Sequence, residues 1–327
     1  GSERRDGAMP RQGARKKQRL KANARNVRKA AQKFNGGKPT SQEACRGKVK
    51  PSKGAAVQAA DMEAALCGKG NHSDRLFELA NRPAIRVAVG KTFVKVLQDR
   101  STQEHSGGVV WETAYFLLRY LEQHVLPGLR PKGRRVRVLE LGAGCGLLGL
   151  GLSCLGCEVL LTEQRVALEN LTQNAQASND ALQKDCVPAK VGELEWGKST
   201  DIASARSQGP FDLIVGSDIV FATRFVKPLL ETIDSLLQES SQACWLCLQR
   251  RDPDAHALLL EEAAKHFSLE EVSFEGCAGF EAACELECLL LHMTRRASSK
   301  RSLPEAATSV EHDTTQSRAR VRRPKKK

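Results

Sequence analysis

Hydrophobic residues recur with a regular period along the central part of the chain. In residues 84–98, apolar and polar residues alternate on both sides of Gly90 and Lys91, which predicts a β-hairpin. In residues 107–127, apolar side chains recur at helical spacing and stop before a proline, which predicts a helix.

Beyond residue 136, short apolar runs alternate with amphipathic segments. The predicted strands cover residues 136–141, 158–162, 187–191, 211–216 and 244–249. The predicted helices cover residues 146–155, 164–178, 224–239 and 254–266. Such alternation predicts an α/β fold with a parallel sheet covered on both faces. Two final strands, predicted at 268–275 and 284–293, have no helical pattern between them, and we expect them to add an antiparallel strand.

The positive charge of the chain lies at its two ends. The 327 residues carry a net charge of +13 at pH 7. Residues 1–53 hold 17 Lys or Arg against 3 acidic residues, and residues 295–327 hold 11 against 3, so residues 54–294 carry −9. The end segments are also poor in large apolar residues. We therefore expect disordered basic tails at 1–70 and 295–327 around one domain at 71–294.

The tails contain the basic clusters RKKQRLK and RVRRPKKK. Such clusters are typical of nuclear import or polyanion binding, and they are equally consistent with a solvated tail. A mitochondrial transit segment at 10–34 is a third interpretation, although its many lysines and lack of serine count against it. We expect a monomer in the cytoplasm, the nucleus or both. A membrane-spanning helix is not expected, because no run of 18 apolar residues occurs.

Four of the eleven cysteines form two C-x-x-C pairs, Cys154/Cys157 and Cys244/Cys247. Zinc requires ligands on loops that can converge. The first pair flanks a predicted helix-to-strand turn and the second lies inside an apolar run, so we expect core packing and no metal site.

The loop after the first strand of the alternating region is rich in glycine. The stretch VLELGAGCGLLGLG, residues 138–151, places Gly142, Gly144 and Gly146 where the chain must turn sharply and approach a ligand. Glu163, at the end of the next strand, can accept hydrogen bonds from both hydroxyls of a ribose. These parts suit a dinucleotide, through the pattern G-x-G-x-x-G, and S-adenosylmethionine equally.

Glu140 distinguishes the two ligands. A carboxylate two residues before the first glycine repels a diphosphate but attracts the cationic amino group and sulfonium of S-adenosylmethionine. The spacing of Glu140, Gly142, Gly144 and Gly146 resembles the E-x-G-x-G-x-G loop of the seven-β-strand methyltransferases. That resemblance implies a Rossmann-like sheet of seven strands with a reversed last strand, preceded here by the N-terminal hairpin and helix.

The end of the fourth strand of this sheet reads VGSDIVFATRF. It contains neither the Asn-Pro-Pro of enzymes that methylate base amines nor a Pro-Cys pair. Asp218 is followed three residues later by Phe221, and this D-x-x-F segment resembles the D-x-x-F/Y motif of the seven-strand protein lysine methyltransferases that act on chaperones, elongation factors and calmodulin. The resemblance spans residues 72–294 and includes Trp111 and Trp196.

The resemblance implies a function and a set of site residues. The implied cofactor is S-adenosylmethionine, and the residues expected to bind it are Trp111, Glu140, Gly142, Gly144, Gly146, Glu163, Trp196 and Ser217. The implied reaction is methylation of a lysine on a protein such as a chaperone, translation factor or ribosomal protein. Histidine is an alternative acceptor, since a histidine-modifying relative belongs to the same family.

Asp218 and Phe221 suit the chemistry of an amine acceptor. A carboxylate can orient the incoming amine, and an aromatic face can hold its alkyl chain and its charge. Alternatively, Asp218 caps the following helix or turn, and Phe221 lies in the core. Trp111 could likewise anchor a helix to the sheet, and Trp196 could close the edge of the core. The segment RRDPD at 250–254 could contact the substrate beyond the fifth strand or form a solvated turn before a helix, and we expect the turn. Two rival functions are a nucleic-acid methyltransferase whose basic tails bind RNA, and a non-enzymatic module that keeps the fold.

Overall fold

Strands and helices alternate through most of the chain, as the apolar pattern predicts. The computed structural model describes residues 59–67, 72–99, 106–129, 131–181 and 186–296. The strands in these residues are β1 (Ala60–Asp61), β2 (Ala84–Val89), β3 (Thr92–Leu97), β4 (Arg137–Leu141), β5 (Glu158–Glu163), β6 (Lys190–Glu193), β7 (Leu213–Ser217), β8 (Ala243–Gln249), β9 (Phe267–Val272) and β10 (Cys288–Arg295).

The helices pack on both sides of these strands. They are α1 (Met62–Cys67), α2 (His72–Ala80), α3 (Glu112–Tyr120), α4 (Leu147–Cys154), α5 (Leu168–Asp180), α6 (Ser199–Ser207), α7 (Thr223–Leu236), α8 (Pro253–His266) and α9 (Glu281–Glu285). A π-helical turn (Leu121–Val125) and a 3-10 turn (Leu126–Gly128) extend α3 to the predicted end of its helix. Within the described ranges, no helix combines the length and the apolar character that crossing a membrane requires.

Seven of the described strands form one sheet, in the order β6-β5-β4-β7-β8-β10-β9. The first five are mutually parallel. The last strand, β10, runs antiparallel to both of its neighbours, β8 and β9. The predicted seven-strand sheet with a reversed last strand is therefore confirmed, and the reversed strand is inserted inside the sheet.

Neighbouring residues along a strand point to opposite faces, which gives the sheet an apolar core on each side. On β4, Val138 packs in a cluster with Phe116 of α3, whereas Leu139 packs in a second cluster with Leu229 of α7 and Leu259 of α8. All five side chains are at most 1% exposed. Burial on both faces explains why the strands of this sheet are apolar throughout their length.

The cysteines of the two C-x-x-C spacings contribute to these cores. Cys244 and Cys247 are fully buried on opposite faces of β8, and Cys157 is 3% exposed. The prediction that Cys244 and Cys247 pack in the core is confirmed.

Several predicted boundaries differ from the structure. The third strand of the alternating region lies at 190–193 rather than 187–191, and α6 follows it where no helix was predicted. Helix α6 is mostly polar and buries only Ile202 and Ala205, so it gives a weak amphipathic signal. The two last strands, β9 and β10, pair antiparallel as expected, but the five-residue α9 lies in the connection between them.

A second sheet, β1-β2-β3, precedes the main one and contains the predicted hairpin. It also moves the expected domain boundary. Met62 and Leu66, inside the range 1–70 predicted as a tail, are 1% and 4% exposed and belong to the core. Their spacing of four residues places both on one face of α1, a signal too short to outweigh the polar composition around it. Most of the predicted tails, 1–58 and 297–327, lies outside the described residues.

Candidate functional site

The predicted site residues gather at the carboxyl ends of the parallel strands. The glycine loop follows β4, Glu163 ends β5, and Ser217 ends β7. Since β4 lies between β5 and β7, these strand ends are neighbours. This edge of an open α/β sheet is where such folds bind ligands.

The glycine loop turns with three left-handed residues. The φ angles of Gly142, Gly144 and Gly146 are +62°, +55° and +85°, a region that L-residues avoid. A Cβ atom added at Gly142 would lie 2.9 Å from Ile219 Cγ2 and 3.2 Å from Trp196 Cζ2. The loop therefore requires glycine both for its backbone conformation and for its close contacts.

The side chain of Glu140 points into the protein, not into the cleft. It is 1% exposed and accepts a hydrogen bond from the backbone N–H of Gly149 at 2.9 Å, in the first turn of α4. Burial raises the pKa of Glu140 to about 8, although the Gly149 hydrogen bond opposes the rise. The expectation that Glu140 attracts a cationic ligand by direct contact is therefore corrected, because its carboxylate is buried. Glu140 instead ties the loop to the start of α4.

Glu163 lies where the sequence predicts it. Its Oε2 accepts a hydrogen bond from the backbone N–H of Gly144 at 3.0 Å, and its Oε1 accepts one from Gln164 at 2.7 Å. The residue is half-buried, so the carboxylate is accessible from the cleft while the glycine loop holds it in place. Each carboxylate oxygen can accept a further bond.

An aromatic row runs from the glycine loop to the surface. The rings of Trp196 and Phe225 meet edge to face, with centroids 6.2 Å apart, and those of Phe225 and Phe221 lie 4.9 Å apart. Trp196 closes one side of Gly142, whereas Phe221, at the other end, is 41% exposed. A large apolar side chain so exposed beside a cleft can contact a ligand or partner.

Asp218 follows the last residue of β7 in a strained conformation. Its φ is +54°, which is rare for a residue other than glycine. Its backbone N–H donates to the carbonyl of Cys247 on β8 at 2.9 Å, so the turn is held against the neighbouring strand. Helix α7 begins after Ala222, and no side chain caps it. The alternative that Asp218 caps this helix is therefore wrong.

Arg251 connects Asp218 to the start of α3. Its Nε donates to Asp218 Oδ2 at 2.6 Å, and one of its terminal nitrogens lies 3.4 Å from a Glu112 carboxylate oxygen. Its guanidinium also stacks 4.3 Å above the ring of Trp111. The expectation that residues 250–254 only form a solvated turn is corrected for Arg251. It holds for Asp252, whose side chain accepts hydrogen bonds from two backbone N–H groups at the start of α8.

The carboxyl groups beside Arg251 are almost completely buried. The side chains of Asp218 and Glu112 are 3% and 6% exposed, and that of Arg251 is 30% exposed. Burial raises the pKa of Asp218, and the charge of Arg251 opposes this rise. Burial also raises the pKa of Glu112, Arg251 again opposes, and the nearby Asp218 adds to the rise. Arg251 therefore compensates the negative charge of two carboxyl groups.

Sequence reasoning missed Glu112 and Arg251 as members of the site. They lie 139 positions apart in the chain, and neither belongs to a recognisable local motif. The available signals were positional: Glu112 directly follows Trp111, and Arg251 lies just beyond the end of a parallel strand.

The site lies within a segment that matches a known family. The family model described as lysine methyltransferase matches residues 92–268. Protein N-lysine methyltransferase METTL21A of Danio rerio is 35% identical over 167 residues, which cover 51% of this chain and 71% of that protein. Protein-lysine methyltransferase METTL21E of Mus musculus is 33% identical over 168 residues, which cover 51% and 66%.

Among solved structures, a chain of the fibrillarin/Nop5p complex matches this protein with 15% sequence identity and a TM-score of 0.39. The match covers 62% of this protein and 94% of the fibrillarin/Nop5p chain. The fold is assigned from the strand order and the reversed β10, independently of this structural match. The family match spans the glycine loop, Glu163, the aromatic row and the D-x-x-F segment, and the two relatives are protein lysine methyltransferases by name. The chain therefore belongs to the lysine methyltransferase family.

Proposed function

We propose that this protein transfers a methyl group from S-adenosylmethionine to a lysine side chain of a protein substrate. The observation that carries the proposal is the arrangement at one sheet edge. The glycine loop and Glu163 form one side of a cleft, and the D-x-x-F segment, with buried Asp218 and exposed Phe221, forms the other. A donor and an acceptor can therefore meet between neighbouring strand ends.

The hydrogen bonds of the loop favour S-adenosylmethionine over a dinucleotide. The N–H of Gly144 donates to Glu163, that of Gly146 to the carbonyl of Ala143, and that of Gly149 to Glu140. A diphosphate needs free N–H groups at a helix N-terminus. Carboxylates and a carbonyl already accept from these three N–H groups, so fewer donors of the glycine loop are available to a diphosphate.

The residues on this edge fit an adenosyl group. Glu163 has acceptor capacity for ribose hydroxyls, Trp196 provides an aromatic face beside Gly142, and the glycines allow close approach of the backbone. Trp111 and Ser217 are both half-buried. Ser217 ends β7, the strand next to β4, and Trp111 lies against the guanidinium of Arg251. When bound, S-adenosylmethionine supplies a methyl group on a positively charged sulfur.

The D-x-x-F segment suits a lysine acceptor. Lysine has an ordinary pKa of about 10.4, so only about one side chain in a thousand is neutral near pH 7. Asp218 can accept a hydrogen bond from the incoming amine and orient its lone pair, and water can take the released proton. The exposed ring of Phe221 offers a face for the alkyl chain and the ammonium.

The charge of the central segment favours a basic substrate. Residues 54–294 carry −9, so a basic protein surface would be attracted and oriented by charge. A chaperone, translation factor or ribosomal protein as the substrate, and the cytoplasm or nucleus as the compartment, remain predictions from the sequence. The basic clusters that motivate a nuclear or cytoplasmic location lie outside the described residues.

A labelling experiment tests the proposal. The protein is incubated with tritiated S-adenosylmethionine and an extract of cells from which its gene has been deleted, and the products are digested with protease or nuclease. We expect label that survives nuclease, is released by protease and elutes as methyl-lysine after acid hydrolysis. Label in nucleic acid or in methylhistidine would contradict the lysine assignment.

Asp218→Asn is the matched variant for this experiment. The amide has the size of the carboxylate but lacks its charge, and Asp218 lies on the acceptor side. We expect unchanged affinity for S-adenosylhomocysteine by titration calorimetry and loss of transfer. Loss of cofactor-product binding instead would show that Asp218 belongs to the cofactor side.

A further inference from the structure

Arg251 is the charged group that contacts both carboxyl groups of the acceptor side. It lies in the short loop between β8 and α8, and its guanidinium reaches Asp218 at 2.6 Å and Glu112 at 3.4 Å while stacking on Trp111 at 4.3 Å. These partners come from two separate parts of the chain: Asp218 follows the end of β7, and the adjacent residues Trp111 and Glu112 lie at the start of α3. The guanidinium is thus held on three sides.

Two carboxyl groups this deeply buried are unfavourable without a cation. Burial favours proton uptake by both Asp218 and Glu112, the nearby Asp218 adds to this effect at Glu112, and Arg251 opposes it at both residues. Breaking a buried pair by removing one partner leaves an uncompensated charge. Arg251 is therefore the cation that, together with the backbone of Gln249, favours the carboxylate form of the buried Asp218.

The geometry also fixes the direction of the Asp218 side chain. The left-handed backbone and the hydrogen bond to Cys247 hold the turn. The short bond from Arg251 Nε then occupies Oδ2, and the backbone of Gln249 also hydrogen-bonds to this carboxylate. A carboxylate has about four lone-pair sites, so it can still accept a bond from an incoming amine. A planar guanidinium fixed by a second carboxylate and an aromatic ring cannot rotate freely.

We propose that Arg251 is a positioning residue that keeps the Asp218 carboxylate ionised and correctly oriented for the acceptor amine, while Glu112 and Trp111 hold Arg251 in place. The inference rests on the proposed lysine methyl transfer. It adds a device that links the two sides of the cleft, because the same guanidinium contacts Trp111, which is predicted to lie against the cofactor, and Asp218, which faces the acceptor.

The main test compares Arg251→Gln, Arg251→Lys and Arg134→Gln. Arg134 is the matched control, because it also pairs with an aspartate, Asp212, at 2.6 Å, but at the amino ends of the strands. The acceptor is a dilution series of the extract from gene-deleted cells. Since misplacement of a reacting group by about 1 Å can lower a rate about 100-fold, we expect Arg251→Gln to lower the maximal transfer rate by roughly that factor.

Three accompanying results identify positioning rather than unfolding. Half-saturation by extract and affinity for S-adenosylhomocysteine are expected to change less than about 3-fold, because neither depends on the charge of Asp218. Arg251→Lys, which keeps the charge but not the fork of donors, is expected to be intermediate. Arg134→Gln is expected to transfer at the wild-type rate.

The pH dependence provides a readout that a structural defect would not produce. The charged and titratable groups facing Asp218 are Arg251, Glu112 and Cys247, and removal of Arg251 leaves the backbone hydrogen bond from Gln249 as the remaining contact that favours the ionised form against burial. The transfer rate of Arg251→Gln relative to wild type is therefore expected to rise with increasing pH, as Asp218 loses its proton. A ratio that does not change with pH would overturn the proposal.

The outcomes separate this inference from the proposed function. If the wild-type protein labels no protein, the proposed function fails. If it labels protein and Arg251→Gln does so at the same maximal rate with a lower half-saturation, Arg251 merely obstructs the acceptor pocket and the inference is wrong. Should Arg251→Gln fail to fold, Glu112→Gln is tested instead, because it removes the carboxylate that holds the guanidinium of Arg251. We expect this variant to have a lower maximal transfer rate and an unchanged affinity for S-adenosylhomocysteine.

Discussion

The carboxylate of Glu140 accepts a hydrogen bond from the backbone N–H of Gly149 at 2.9 Å, inside the first turn of α4. This bond joins the end of β4 to the helix that follows the glycine loop. An added Cβ at Gly149 would lie 2.4 Å from the same carboxylate, so the acid and the glycine require each other. The motif acid thus shapes the loop from beneath, which gives its substitution a measurable effect on stability.

Glu140→Gln is expected to change how stability depends on pH. Burial raises the pKa of Glu140 from 4.5 to about 8. The stability that this group contributes is therefore fully present below about pH 4.5 and is lost as the pH rises through about 8. The amide retains an acceptor but does not ionise, so the Tm of the variant should increase relative to wild type between about pH 5 and pH 9. A constant Tm difference in a thermal-unfolding series would contradict the assigned burial.

Gly142→Ala is expected to impair cofactor binding more than Gly133→Ala. Both glycines have left-handed φ angles, +62° and +69°, so both variants share a backbone cost of about 1–2 kcal/mol. Only at Gly142 does the new Cβ meet Ile219 and Trp196, whereas nothing lies within 4 Å at Gly133. Calorimetry should show at least about 10-fold weaker S-adenosylhomocysteine binding for Gly142→Ala alone. Equal affinities would show that the loop adapts.

Glu163→Gln is expected to weaken binding of S-adenosylhomocysteine. Hydrogen bonds to a charged group contribute about 1.5–3 kcal/mol, so the loss should be roughly 10- to 100-fold. Glu193→Gln is the control, because Glu193 is the exposed residue paired with Glu163 on the neighbouring strand. Should both substitutions weaken binding equally, the effect would reflect general charge and not a ribose contact.

Phe221→Ala is expected to affect the acceptor and leave the fold intact. Phe221 is 41% exposed, so its removal should change the free energy of unfolding little. Loss of a cation–π contact of about 0.5–2 kcal/mol would raise half-saturation by the protein acceptor roughly 2- to 30-fold. Phe93→Ala, at a residue 56% exposed on the N-terminal hairpin, is the control and should not alter transfer. Identical kinetics for both variants would remove Phe221 from the acceptor side.

Met62→Ala tests where the folded region begins. Met62 is 1% exposed in the core, and truncation of a buried Met to Ala typically costs about 2–5 kcal/mol. The adjacent Glu63 is exposed and forms a surface ion pair with Arg119, so Glu63→Ala should change stability by no more than about 1 kcal/mol. Urea unfolding measures both. A negligible loss for Met62→Ala would restore the boundary predicted near residue 71.

The local parts of the site could be read from the sequence. The glycine loop, Glu163 and Asp218 each lie at the end of an apolar run, and the ends of parallel strands meet at one edge of the sheet. The reversed β10 was also predictable, because two strands follow each other with no long helix between them. By contrast, α6 and α1 were missed, because each buries only a few residues in a polar stretch.

The sequence by itself determined the fold class, the loop that must consist of glycine and the acids at the strand ends, because those depend on local periodicity and backbone conformation. Only the tertiary structure decided which way the acids face. It turned Glu140 inward onto Gly149, left Glu163 at the cleft, and brought Arg251 from beyond β8 to the side chains of Asp218 and Glu112. The physical reason is that burial and charge compensation act between elements distant in the chain, and no local pattern encodes their partners.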